Sequence, residues 1–263
     1  TQTEEEAHFG LWCIMSSPLL IGCNLENLPD SSLQLLTNKE LIALNQDPLG
    51  LQAYVAQHEN EGYVLVKDIE QKRGNVRAVA LYNPSDTVCS FSVPFSSLEF
   101  GGNVKVRDLV KHNDLGSFSG TFEQTLPTHS AMFLRIEGET RLEPTLYEAE
   151  WAYLPLFNDL GKNPKGILYA NDKEASGKMK VGFLGGQPEN YAEWREVYSE
   201  NGGRYDMTIH YLYGKGRQIE LDVNGIITKI DSLGKDNGHN QITVPVELKA
   251  GYNTIRMGNS YNW

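Results

Sequence analysis

Between Tyr54 and about Gly138 the apolar residues of this chain recur at every second position, in short runs that no helix would produce. The runs are Tyr63-Val64-Leu65-Val66, Val76-Arg77-Ala78-Val79-Ala80-Leu81-Tyr82, Val104-Lys105-Val106-Arg107 and Ala131-Met132-Phe133-Leu134-Arg135-Ile136. Turn clusters such as Asn83-Pro84-Ser85-Asp86 and Gly101-Gly102-Asn103 separate them, so antiparallel strands of a small sandwich are predicted over 54–138. A charged stretch holding Gly138 and Pro144 predicts a linker over 139–146. A second set of short runs then fills 147–263: Lys178 to Phe183, Ala192 to Val197, Arg204 to Tyr213, Gln218 to Val223, Ile242 to Leu248 and Asn253 to Met257. With the tight-turn signal Asn224-Gly225, these predict a second sandwich.

Residues 1–53 read differently. Thr3 with Glu6 forms a capping-box pattern, and His8, Leu11, Trp12 and Met15 recur at helical spacing, so a helix with that stripe in its core is expected. Leu19-Leu20-Ile21-Gly22-Cys23 and Leu41-Ile42-Ala43-Leu44 are continuous apolar runs, and Asp30 to Thr37 between them suits a short helix. That order reads as two buried parallel strands and their crossover, a β-α-β unit. Such a unit leaves both faces uncovered, so this part is expected to be the least stable.

At 263 residues the chain is long enough for two domains and part of a third. Its net charge of −11 leaves no basic stripe for phosphates, which argues against nucleic acid. A mean hydropathy of −0.41 and the lack of a long apolar run argue against a membrane span. The opening TQTEEEAHF lacks the basic start and apolar core of a signal peptide. Cys13, Cys23 and Cys89 have no zinc-ligand spacing and are expected to be buried thiols.

Two stretches, LWCIMSSPLLIGCNL and LIALNQDPLG, resemble the end of the catalytic barrel of melibiase-type α-galactosidases, glycoside hydrolase family 27. That resemblance implies that residues 1–53 are the last β-α-β part of a (β/α)₈ barrel, followed by the sandwich, in which LPTHSA at 126–131 matches a motif of its closing strand. The implied chemistry is retaining hydrolysis of terminal α-galactosides by two aspartates on barrel loops, a pair that needs carboxyl groups about 5 Å apart. Neither aspartate has a counterpart here; both are expected upstream of Thr1, so this chain by itself is expected to be inactive. Asp47, in Asn45-Gln46-Asp47-Pro48, is the best local carboxylate but reads more simply as a turn residue, and Asn24 falls at the expected pocket rim.

The third block resembles carbohydrate-binding modules of families 35 and 6, through YEAE at 147–150, the ASG and VGFLG runs within 172–185, GGRYDMTIHY at 202–211, LDVNG at 221–225 and LKAGYNTIRMGN at 248–259. The loop with Asn259, Tyr261, Asn262 and Trp263 joins amides to aromatic rings and is the expected sugar-binding site. Glu148 and Glu150 alternate on the expected strand and match the pair that such modules use for a structural calcium ion. A galactose-containing oligosaccharide or polysaccharide is the implied partner, and secretion or a periplasmic location follows from the resemblance. The reading from a different class is a non-catalytic carbohydrate-binding and structural module.

Overall fold

The computed structural model describes residues 1–22, 24–59, 61–70, 75–158, 166–176, 178–212, 217–233 and 238–260. They fall into two compact units, Thr1–Leu142 and Glu143–Trp263.

The first unit carries three helices, α1 (Gln2–Ile14), α2 (Asp30–Leu36) and α3 (Lys39–Asn45). Eight strands follow: β1 (Tyr54–Glu59), β2 (Gly62–Asp68), β3 (Val76–Asn83), β4 (Cys89–Pro94), β5 (Phe100–Asp108), β6 (Asn113–Ser119), β7 (Thr121–Leu126) and β8 (Ser130–Arg141). A six-stranded sheet runs β1-β2-β3-β8-β5-β6, and β4 pairs with β7 in a separate ribbon. One sheet face, with Val64, Val66, Val79, Leu81, Leu134 and Ile136, packs with Phe91, Val93 and Phe122 from the ribbon. The sandwich predicted for 54–138 therefore forms, with every pairing antiparallel.

The other face of the sheet, with Ala78, Ala80 and Phe133, packs with Cys13, Ile14, Leu41 and Leu44 of the helical segment. Here the β-α-β expectation fails. Leu41 to Leu44 lie in α3, because Asn38 caps it by accepting from the backbone of Glu40 (3.0 Å) and Leu41 (3.1 Å). A four-residue apolar run carries no period, so the cap decides. Leu19 to Gly22 adopt no regular structure, and Leu20 is 88% exposed. A parallel strand needs hydrogen-bonded neighbours, and no described strand pairs with this segment. In place of the expected β-α-β unit, the described residues of 1–53 thus form a helical layer on the sandwich.

Helix α1 is capped by Thr1 with Glu4, two residues earlier than the Thr3–Glu6 pattern suggested. Its buried stripe is Ala7, Gly10, Cys13 and Ile14, while His8 and Trp12 meet edge to face on the exposed side. Close approach explains the rotation. A Cβ on Gly10 would lie 2.1 Å from the Phe133 ring, so only the small-residue side of the helix fits against β8.

Lys67, 1% exposed, reaches from β2 into this layer and donates to Ser16 Oγ (2.8 Å), Leu44 O (3.0 Å) and Leu51 O (3.2 Å). Burial lowers its pKa to about 8, against the opposing pull of Asp47 and Cys13. Its unfolded value is 10.5, so the unfolded chain binds more protons between these limits. The stability of the first unit is expected to rise with pH across that window. Thermal melts from neutral to alkaline pH should show this rise, and Lys67→Met should remove it.

The charged residues of the predicted linker belong to the units instead. Strand β8 runs on to Arg141, and Glu139 accepts from Asn103 N (3.0 Å). For Glu143 burial alone acts to raise the pKa, but donors from Glu200 N (2.5 Å), Tyr205 OH (2.9 Å) and Ser199 Oγ (3.1 Å) hold its carboxyl below the usual range. Charge in this stretch marks anchors at the end of one unit and the start of the next.

The second unit is a β-rich body of eight strands among its described residues: β9 (Leu168–Asn171), β10 (Met179–Gly182), β11 (Ala192–Ser199), β12 (Gly203–Leu212), β13 (Arg217–Val223), β14 (Ile226–Leu233), β15 (His239–Leu248) and β16 (Gly251–Gly258). A four-stranded sheet runs β11-β16-β13-β14, with β12-β15 and β10-β9 as antiparallel pairs. Trp194, Leu221, Ile255, Ile209 and Val246 share its core. The Asn224-Gly225 turn forms as predicted, with Asn224 at φ 54° and Gly225 at φ 90°. Cys13 and Cys89 are buried free thiols, and Cys23 lies outside the described residues.

Candidate functional site

The carboxylates of the first unit are largely engaged in holding the fold. Asp47 Oδ1 accepts from Leu49 N (3.1 Å) and its Oδ2 from Glu70 N (2.9 Å), which joins the turn after α3 to the β2–β3 connection. Glu40 accepts from Arg107 Nε (2.8 Å) and lies 2.8 Å from His112 Nδ1; its pKa is lowered first by the Arg107 bond. Glu70 holds Arg135, and Asp108 accepts from Val110 N and Lys111 N. Asn24 accepts from Glu26 N (3.1 Å) and caps a short 3₁₀ turn. None of these pairs has the arrangement of one nucleophile and one acid across an open pocket.

In the second unit Glu148 stands at the N-cap of a 3₁₀ turn, Ala149–Trp151, and Glu150 within it, so they do not alternate on a strand as expected. The turn still brings the two acids into one electrostatic field. Burial raises the pKa of Glu150, and the Glu148 charge adds to that. Glu148 Oε2 accepts from Ser176 Oγ (2.8 Å), whereas Glu150 Oε1 is buried with no hydrogen-bond partner among the described residues. The carbonyls are fixed too: Trp194 Nε1 donates to Glu148 O (2.9 Å) and Tyr169 OH to Glu150 O (3.2 Å). A buried carboxylate oxygen beside a second acid is one that a cation or a proton would satisfy. Among the described residues no cluster of three His, Cys, Asp or Glu completes a metal shell.

Asn259 is placed inside, 5% exposed, where its Nδ2 donates to Gln218 O (2.7 Å) and braces the end of β16 against β13. Its amide is therefore turned away from the exposed loop expected for sugar contact. Tyr261, Asn262 and Trp263 lie outside the described residues. The end of β16, and not the residue type, sets the inward turn of Asn259, so no local signal announces it.

Comparison with known proteins separates the two units. Residues 61–136 match the alpha galactosidase C-terminal beta sandwich domain, and residues 1–47 match alpha galactosidase A. The first unit is α-galactosidase-like. Alpha-galactosidase 3 of Arabidopsis thaliana is 36% identical over 132 residues, covering 49% of this chain and 30% of that protein. A probable alpha-galactosidase of Dictyostelium discoideum is 30% identical over 140 residues, covering 52% of this chain and 36% of that protein. The chain thus spans about a third of the length of such relatives. The α-galactosidase-like part ends near the boundary at Leu142. A solved structure, the isomalto-dextranase of Arthrobacter globiformis T6 complexed with panose, covers 99% of this chain and 45% of its own, at a TM-score of 0.56 and 19% identity. At that identity it speaks for the fold alone, and it does so for the second unit as well as the first.

Proposed function

We propose that this chain is the C-terminal portion of an α-galactosidase-like retaining glycoside hydrolase, whose parent removes terminal α-galactosyl groups. The observation that carries this reading is the succession, in one unit, of segments matching two α-galactosidase families. In this reading the two catalytic aspartates belong to sequence upstream of Thr1, and the chain itself supplies the helical layer and sandwich that support them. The engaged carboxylates described above favour the second role for the isolated chain, that of a structural and carbohydrate-binding piece. The second unit then recognises a galactose-containing oligosaccharide or polysaccharide, as family 35 and 6 modules do. A secreted or periplasmic location is part of the same proposal.

Glu148 and Glu150 fit part of a calcium site, since Glu150 Oε1 has no donor among the described residues and hard oxygen ligands suit a hard cation. A bound calcium ion would balance their charge and fix the 3₁₀ turn at Ala149–Trp151. The raised pKa of Glu150 means that its contribution to stability is present below its usual value of 4.5 and lost as pH rises through the folded value. At neutral pH the cation-free protein therefore carries a penalty. Millimolar calcium is expected to raise the melting temperature by several degrees, as any ligand of the folded state does. Glu150→Gln is expected to raise it without calcium and to abolish the calcium response. Identical calcium responses in the variant and the original chain would remove the ion from this site.

The direct test of the function is sugar binding by the whole chain, with raffinose as the α-galactoside. Calorimetry should detect weak binding, because one shallow contact buries little area.

A further inference from the structure

At the start of α3 a polar cluster joins the helical layer to the sandwich, and one carboxylate is at its centre. Glu40 Oε2 accepts from Arg107 Nε (2.8 Å), while its Oε1 accepts from Arg107 Nη2 (2.7 Å) and faces His112 Nδ1 at 2.8 Å. An ionised carboxyl only accepts, so His112 donates here as well. Both donors come from the other side of the seam, Arg107 from β5 and His112 from the turn before β6.

The turn is shaped for this contact. His112 takes φ +57°, in the left-handed region that a residue with a Cβ enters at a cost. Arg107 Nη2 also donates to His112 O (3.1 Å), and Asp108 Oδ1 accepts from Val110 N and Lys111 N (both 2.9 Å), which closes the turn. From the helical side, Asn38 Nδ2 donates to Leu109 O (2.9 Å). Strain kept in place by such a surround, at a side chain that crosses to another layer, points to a role for that crossing. An open groove of about 520 Å³ borders it, lined by Gln34, Thr37, Asn38, Lys39, Glu40 and His112.

Protonation of Glu40 would cancel the charge that three donors share. The Arg107 bond first, against burial and with help from His112, holds its carboxyl below the usual 4.5. A lowered carboxyl stabilises the closed form above its ordinary value, and that contribution is lost as pH falls through the folded one. Protons reach the site from solvent, since the Glu40 side chain is 28% exposed. The other charged groups on the elements that meet here are Lys39 at the start of α3, Arg107 and Asp108 on β5, Lys111 and His112 in the turn and Asp114 on β6. Asp114 lies 2.8 Å from Arg107 Nη1 and is mostly in solvent.

We propose that Glu40, Arg107 and His112 form a proton-operated latch between the helical layer and the sandwich, closed while Glu40 is ionised and released when it is protonated. The latch joins the segment that matches alpha galactosidase A, residues 1–47, to the matching sandwich at 61–136, so acid loosens one from the other. Leu41 and Leu44 keep α3 in its apolar core, so release frees the start of the helix and widens the groove without unfolding the unit.

Hydrogen exchange of the full chain at about pH 6 and about pH 3, corrected for intrinsic rates, reads the latch directly. Relative to the β3 amides, protection of the α3 amides should fall at least about tenfold at the lower pH, the strength of one charge-assisted hydrogen bond. Glu40→Gln should show the lowered α3 protection already at the higher pH, with no further step. His112→Asn, which suits left-handed backbone, should lower α3 protection at the higher pH and leave a smaller step. No step in the original chain would overturn the proposal. A step that survives in Glu40→Gln would overturn it by assigning the response to Asp47, Asp108 or Asp114, and unchanged protection in His112→Asn would do so by leaving His112 without a part. Loss of β3 protection in Glu40→Gln would make the cluster a support of the whole unit and overturn the latch as well.

Discussion

Replacing Arg77 by alanine is expected to lower the stability of the first unit by about 3–5 kcal/mol, the cost of breaking a buried ion pair from one side. Arg77 is fully enclosed. Its Nε lies 3.1 Å from Asp68 Oδ1 and its Nη1 3.2 Å from Glu99 Oε2, and it also donates to Leu98 O (3.2 Å) and Tyr54 OH (3.0 Å). Arg141 shares both acids, with Nη1 2.7 Å from Asp68 Oδ1 and Nη2 bonded to Glu99. Burial opposes the charge on Arg77, but Asp68, Tyr54 and Glu99 keep it protonated. Alanine at 77 leaves a buried cluster of two carboxylates with one guanidinium. The control is Arg107→Ala, whose pairs with Glu40 (2.7 Å) and Asp114 (2.8 Å) are partly in solvent, with a much smaller expected loss. Urea unfolding of the three proteins checks the contrast, and equal losses would mean that burial does not set the strength of these pairs.

Hydrolysis of α-galactosides by the chain is expected to fall short of intact enzymes by at least about 10²–10⁴, the usual worth of acid–base assistance alone. The argument is one of geometry. A retaining mechanism needs two carboxyl groups about 5 Å apart with the sugar between them. In the first unit Asp47 spends both oxygens on backbone donors, Glu40 is held by Arg107 and His112, and Asp68 and Glu99 are sealed in the core. Glu148 and Glu150 share a field, but Glu150 Oε1 is buried. Release of nitrophenol from a chromogenic α-galactoside measures this directly, and turnover near that of an intact enzyme would mean that one of these acids has been given the wrong role.

What the sequence made legible follows from the range of each interaction. Strands β2, β3, β5 and β8 could be read because their alternation reports two different faces, one toward the β4–β7 ribbon and one toward the helices. Strands β1, β4, β6 and β7 have no such run: β1 reads YVAQHE, and alternation with Ser90 and Ser92 or Gly116 and Ser117 lacks a dense apolar stretch. The apolar run Leu41–Leu44 fits a buried strand or a helix face equally well, and the signal that decides is Asn38, three residues before it. Helix α1 was rotated because Trp12 outranks Gly10 in hydrophobicity but cannot approach Phe133 as closely. The candidate site was less legible still. Its first residues, Glu148 and Glu150, could be named, but the burial of Asn259 and the orphaned oxygen of Glu150 depend on partners far along the chain.

The central claim, that this chain recognises a galactoside without cleaving it, is tested most directly by saturation-transfer NMR of the full 263-residue chain with millimolar raffinose, followed over hours. The account predicts transfer to the ring protons of intact raffinose and no resonances of free galactose. Accumulating galactose, or no transfer at all, would contradict it.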